Sequence, residues 1–282
     1  MLRKLIKYEW KSSDRLFFTI HGFILVFGIV ARLFMEACGG IEQALSTEYF
    51  NLITIIGEII NFGFIFSVSF SLFFTHIFIG CRFYKSVFTD QGYLTNTLPV
   101  TPNQIILSKG ITGLAWTVIN FLTVILSCLL YGVDSFSASE MFRSFGEFFR
   151  ALYQAPACMW CGFTLLLLAP FLMIATLYFS VAVGNLVANH KIGGAVITYF
   201  ITNFILQILY LLVCASTLVT SAKKFSGAIE TNMSNHNMDM VYSAANHLLC
   251  PWLIASIILT AVIIAAFWLV TKWIMTKKLN LQ

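Results

Sequence analysis

Six stretches of this sequence run almost without charge, and each is long enough to cross a bilayer, whose hydrocarbon core takes about 20 apolar residues as a helix. They lie near residues 16–34, 52–79, 104–131, 157–183, 194–220 and 249–271. Lipid offers a backbone no hydrogen-bond partner, so spans of this length must satisfy their own amides as helices. Charged residues make up only 10% of the 282 residues, against roughly 25% in soluble domains. A soluble globular fold is excluded. The expected fold class is an all-α integral membrane protein of six spans, read as a single transmembrane domain over residues 16–271. No internal repeat, low-complexity tract or linker divides it.

Placing the Lys and Arg residues beside the spans sorts them by side. One side takes Arg3, Lys4, Lys7, Lys11, Arg15, Arg82, Lys85, Lys109, Lys191, Lys272, Lys277 and Lys278, and the other only Arg32, Arg143, Arg150, Lys223 and Lys224. The positive-inside rule makes the richer side cytoplasmic, which puts both termini there, as an even number of spans also requires. The formal charge of +5 therefore speaks of membrane orientation, and no nucleic-acid partner is expected. Residues 1–15 interleave Leu2, Leu5, Ile6 and Trp10 with basic positions, the pattern of an interfacial helix on the inner leaflet. A cleaved signal peptide fits less well, because the apolar run is long and no clean small-x-small site follows it. The last residues, 272–282, form a cytoplasmic tail.

Chemistry-bearing motifs are scarce. The chain has no GxxxxGK with a following Ser or Thr to hold phosphates, no HExxH and no GxSxG. It is expected not to be an enzyme and to bind no cofactor or metal itself. Met233, His236, Met238, Met240 and His247 crowd one polar loop, but ordinary loop composition accounts for them as well as a soft-metal site. Cys158 and Cys161 form a CxxC without the strand and helix pattern of a redox domain around it. Helix packing is the simpler reading. His21 and His76 stand alone in their spans and are assigned to packing.

Polar side chains inside spans are costly unless they face the bundle or water. On the second span Asn51, Thr54, Glu58 and Asn61 recur every three or four residues, so they share a face, with Glu58 about 10 Å below the outer end at 1.5 Å per residue. On the fifth, Tyr199, Asn203, Gln207, Tyr210, Cys214 and Thr217 repeat the pattern. Single residues of this kind are commonly interhelical hydrogen bonds. Two stripes together are read as the lining of a translocation path carried by Glu58, Asn61, Tyr199, Asn203, Gln207 and Tyr210.

Between the second and third spans, residues 80–103 end in a helix start: Thr101 as N-cap, Pro102 at the first helical position, and Gln104 closing a capping box. Just before it, Leu98, Pro99 and Val100 form a stiff apolar knob where a solvated loop would carry charge, which suits docking to another protein. The basic segment Lys4-Leu5-Ile6-Lys7-Tyr8-Glu9, the run from Gly92-Tyr93-Leu94 to Leu98-Pro99-Val100, and Ile105-Ile106-Leu107-Ser108-Lys109 resemble the permease subunits of type-2 ABC transporters, especially the small six-span ones of Gram-positive bacteria. Gln91 is uncharged where many relatives carry an acid.

The resemblance implies a plasma-membrane permease of an ATP-driven exporter, paired with a second permease subunit, identical or related, and with separate ATP-binding cassette subunits that use the ATP. Residues 80–103 would be the coupling segment, with Asp90, Gln91, Leu98, Pro99 and Val100 seated against the ATPase, and residues 1–15 an elbow helix. An antimicrobial peptide, a drug or a lipid-like molecule would suit the path. The competing reading is an ATP-independent carrier or an immunity or anchoring protein, although inverted repeats and buried midplane charges of a carrier are not evident.

Overall fold

The computed structural model describes residues 1–37, 52–97, 99–132, 143, 146, 147, 150, 153, 157–187, 190–232 and 238–277. Its elements are α1 (Leu2–Ala37), α2 (Leu52–Phe88), α3 (Asp90–Asn96), α4 (Pro102–Gly132), α5 (Ala157–Gly184), α6 (Lys191–Asn232) and α7 (Met238–Lys277), with no strand among the described residues. Six of the helices, all but α3, are long and apolar enough to cross a membrane. The chain is a multi-pass helical membrane protein.

Several boundaries differ from the sequence reading. Residues 1–15 were expected to form a separate elbow, yet α1 runs unbroken from Leu2 to Ala37. No Gly or Pro interrupts residues 2–21, so nothing in that stretch stops the helix. Likewise α2 continues past the expected end of its span to Phe88, and α6 and α7 extend into the polar segment between them, to Asn232 and from Met238. Hydropathy marks where a helix can sit in lipid; helical propensity carries it further, as Ala222, Lys223, Lys224 and Ala228 do here. Residues 38–51 lie outside the described residues, as do most of residues 133–156.

The helices fall into two compact units, Met1–Arg82 with Asn103–Arg143, and Phe83–Pro102 with Ser144–Gln282. In the first, small residues let α1, α2 and α4 approach closely, as membrane helices require when burial of apolar surface gives no drive. A Cβ on Gly28 would stand 2.5 Å from the Ser127 hydroxyl, and one on Gly63 3.0 Å from the Phe27 ring. Ser127 Oγ donates across the helices to the Ile24 carbonyl at 3.1 Å. Trp116 is fully buried with Trp10 and Phe17 stacked on it at 4.4 and 4.5 Å between ring centroids, and its Nε1 donates to Ser13 Oγ at 3.1 Å.

In the second unit α5, α6 and α7 pack mutually. The α5–α6 turn is closed by Val187 N donating to the Gly184 carbonyl. Its tightness depends on Gly184, where a Cβ would stand 2.1 Å from the Ala195 amide nitrogen. Phe179 stacks on Phe267 at 4.3 Å, joining α5 to α7. Pro170 lies inside α5, where it leaves the Leu166 carbonyl without a helical donor. Phe62, Phe66 and Phe73 on α2 and Phe200, Phe204 and Leu211 on α6 are all exposed, as lipid-facing side chains are.

Candidate functional site

The residues expected to line a path divide into three kinds. Asn61 and Tyr210 are half-buried and tied to neighbours: Tyr131 OH donates to Asn61 Oδ1, and Tyr210 OH shares a hydrogen bond with Thr260 Oγ1 at 2.7 Å. Asn203 turns back on its own helix, Nδ2 donating to the Tyr199 carbonyl at 2.8 Å, and Tyr199 is itself half-buried. Glu58 and Gln207 are exposed and make no hydrogen bond to another described residue. The stripes belong to different units, α2's to the first and α6's to the second, and Asn51 lies outside the described residues.

A longer polar seam was missed. Ser67, Ser71 and Thr75 recur every four residues on α2 and are buried, as are Thr112, Asn120 and Thr123 on α4. Asn120 holds the centre, accepting from Ser71 Oγ at 3.0 Å and donating through Nδ2 to the Ser71 carbonyl at 3.0 Å and to Thr75 Oγ1. Most remaining hydroxyls satisfy themselves on their own helix, Ser67 on Phe64, Thr112 on Ser108 and Thr123 on Ile119. Hydroxyls bonded this way are structural and leave no donors for a passing molecule. The period of four was the available signal; only the facing amide shows which purpose it serves.

At the end of the first unit where α1 begins, α2 approaches Arg82 and α4 starts, three charges meet. Arg82 Nε donates to Glu9 Oε2 at 3.0 Å and Arg82 NH2 to the Glu9 carbonyl at 3.0 Å, while Lys109 Nζ bonds Glu9 Oε1. The Lys109 side chain is only 5% exposed. One carboxylate thus serves two cations contributed from 73 and 100 residues further along the chain. A buried ammonium is tolerable only with such a partner. Ser13 extends the cluster, its Oγ donating to the Glu9 carbonyl at 2.9 Å and accepting from Trp116. Sequence reasoning treated Lys109 as one more basic residue beside the membrane, although its place inside an apolar run was a sign that it needed an acid.

In the segment between α2 and α4, the helix starts at Pro102 as the capping pattern requires. Ahead of it, α3 turns away from α2 at Gly92, whose amide donates to the Thr89 carbonyl at 2.7 Å. A Cβ there would lie 2.2 Å from the Val87 carbonyl oxygen, so no other residue fits without moving backbone. The root of the segment is fixed by Phe83, buried and stacked on Tyr178 of α5 at 3.9 Å. Asp90, Gln91 and Pro99 are exposed and Val100 is half-buried, while Leu98 lies outside the described residues. Leu94, which sequence reasoning did not single out, is 68% exposed on α3.

Among the described residues no group of three or more His, Cys, Asp and Glu is arranged to hold a metal ion. The chain matches no protein-family model, no curated protein and no solved structure.

Proposed function

We propose that this chain is the membrane permease of an ATP-driven ABC exporter, with both termini in the cytoplasm of a cell bounded by its plasma membrane. The observation that carries the reading is the segment between α2 and α4. Its short helix α3 is set at a sharp glycine bend, rooted by an aromatic stack, and carries the exposed Leu94. A short helix with an exposed apolar side chain, joined covalently to two long membrane helices, suits a coupling element: a push on it reaches α2 and α4. The absence of a phosphate-binding loop in the sequence fits a chain whose energy comes from a separate ATPase.

In this reading Glu58 and Gln207 are the path residues that meet substrate or the second permease. Asn61, Asn203 and Tyr210 shape the helices that present them. The Glu9, Arg82 and Lys109 cluster holds the cytoplasmic ends of α1, α2 and α4 together, so that motion of the coupling element displaces them as a set. Its acid and its buried lysine both fall in segments that carry the family resemblance.

The test is site-specific photo-crosslinking in native membranes, with a benzophenone amino acid at position 94 and, as the control, at position 66 on the apolar face of α2. The reading expects an ATP-binding protein captured at position 94 and absent at 66. Capture of no ATP-binding protein at 94, with the chain correctly inserted, overturns it.

A further inference from the structure

Three of the seven cysteines are gathered at one end of the second unit. Cys158 and Cys161 lie one turn apart at the start of α5, on one face, and Cys250 lies on α7, which packs against α5. Asn246 draws them together, its Oδ1 accepting from the Cys158 backbone amide at 3.0 Å and from the Cys250 thiol at 3.7 Å. Cys161 and Cys158 are both close neighbours of the Cys250 thiol. Cys158 is buried, while Cys161 and Cys250 are half-exposed. Packing alone does not call for three cysteines gathered at one place, and no metal-holding group forms among the described residues.

We propose that Cys161 and Cys250 form a reversible disulfide that staples α7 to α5, with Cys158 as the thiol through which the bond can move. Disulfides need side chains from two backbone positions in near contact, and this is what the two helices supply. The oxidant is a small-molecule or protein disulfide. One sulfur of that disulfide is attacked by the Cys161 thiolate, expelling one thiolate; Cys250 then attacks the Cys161 sulfur of the mixed disulfide and expels the second. The pair gives up two protons and two electrons, and the oxidant leaves as two thiols. Attack of Cys158 on the Cys250 sulfur frees Cys161 and shifts the staple by one turn without further oxidation. The proposal is independent of the transport reading, since it concerns only the second unit's own residues.

The experiment uses the full chain with Cys38, Cys81, Cys128 and Cys214 replaced by Ala, purified in mild detergent. The protein is incubated with oxidised glutathione, quenched in acid, denatured and labelled with a mass-tagged maleimide. The expected result is loss of two of the three labelling sites, their recovery with dithiothreitol, and a linked peptide pair joining Cys250 to Cys161 or Cys158. In the same background Cys250→Ser should keep both remaining thiols free, and Cys161→Ala should still yield the Cys158–Cys250 pair. Full labelling of all three thiols after oxidation overturns the proposal. So does a bond between Cys158 and Cys161 with Cys250 free, or glutathione left attached in place of an internal bond.

Discussion

Removing the charge of Glu9 probes the cluster on which the first unit's packing depends. In Glu9→Gln the side chain keeps its size, but Arg82 and Lys109 lose their shared anion, and an amide donor now points at one of the two cations. Breaking a buried ion pair by deleting one partner costs about 3–5 kcal/mol. The lower end applies, because Glu9 and Arg82 keep 18% and 21% of their side-chain exposure and water relieves part of the loss. For a chain of this size about 3 kcal/mol corresponds to a fall in Tm of roughly 6–12 °C. Lys109→Met leaves Glu9 paired with Arg82 and should cost only about 1 kcal/mol, since the buried charge leaves with its partner's demand. The double variant Glu9→Gln with Lys109→Met should recover most of the loss, so the two changes are strongly non-additive. Thermal unfolding in detergent, followed by tryptophan fluorescence, reads all four forms, with Trp10 and Trp116 stacked beside the cluster. A Glu9→Gln protein melting within about 1 °C of the parent, or a double variant no better than Glu9→Gln, would refute the reasoning, because a shift of that size is under half a kcal/mol.

Four further variants test the same picture. Asn120→Leu removes the amide that bridges Ser71 and Thr75; at about 0.6–2 kcal/mol per interhelical bond the loss is about 1–3 kcal/mol, read as a lower Tm. Gly92→Ala forces a Cβ against the Val87 carbonyl, and overpacking of about 1–3 kcal/mol should show first as faster proteolysis within residues 83–102. Tyr210→Phe loses one bond to Thr260 and about 1 kcal/mol, whereas Gln207→Leu leaves Tm unchanged or raised and, on the proposed permease reading, abolishes transport. The reverse pattern would make Gln207 a packing residue.

The six spans are legible from the sequence because their length and apolarity are set by the bilayer and need no partner to interpret. Helix ends are less so. The run from Leu2 to Ala37 contains both an amphipathic and an apolar part, and periodicity alone does not say whether the chain bends between them. The start of α4 was readable, since Thr101-Pro102 is a local signal that no tertiary contact overrides. Polar stripes were only half legible: a helical period places Asn61, Gln207 and Tyr210 on faces, but not what each face meets. Tyr131 and Thr260, which claim Asn61 and Tyr210, lie far away in sequence. The same distance hid the bond of Glu9 to Lys109, and it hid Cys250 as the neighbour of a CxxC that looked inert.

The most direct measurement of the central claim is native mass spectrometry of the complex that this chain forms when purified under mild conditions from its own membranes, combined with ATP hydrolysis by the same fractions. The account requires an assembly containing two six-span chains and ATP-binding subunits, whose hydrolysis co-elutes with this chain. A chain recovered alone, or with partners that bind no nucleotide, while transport in the same membranes persists, would contradict it.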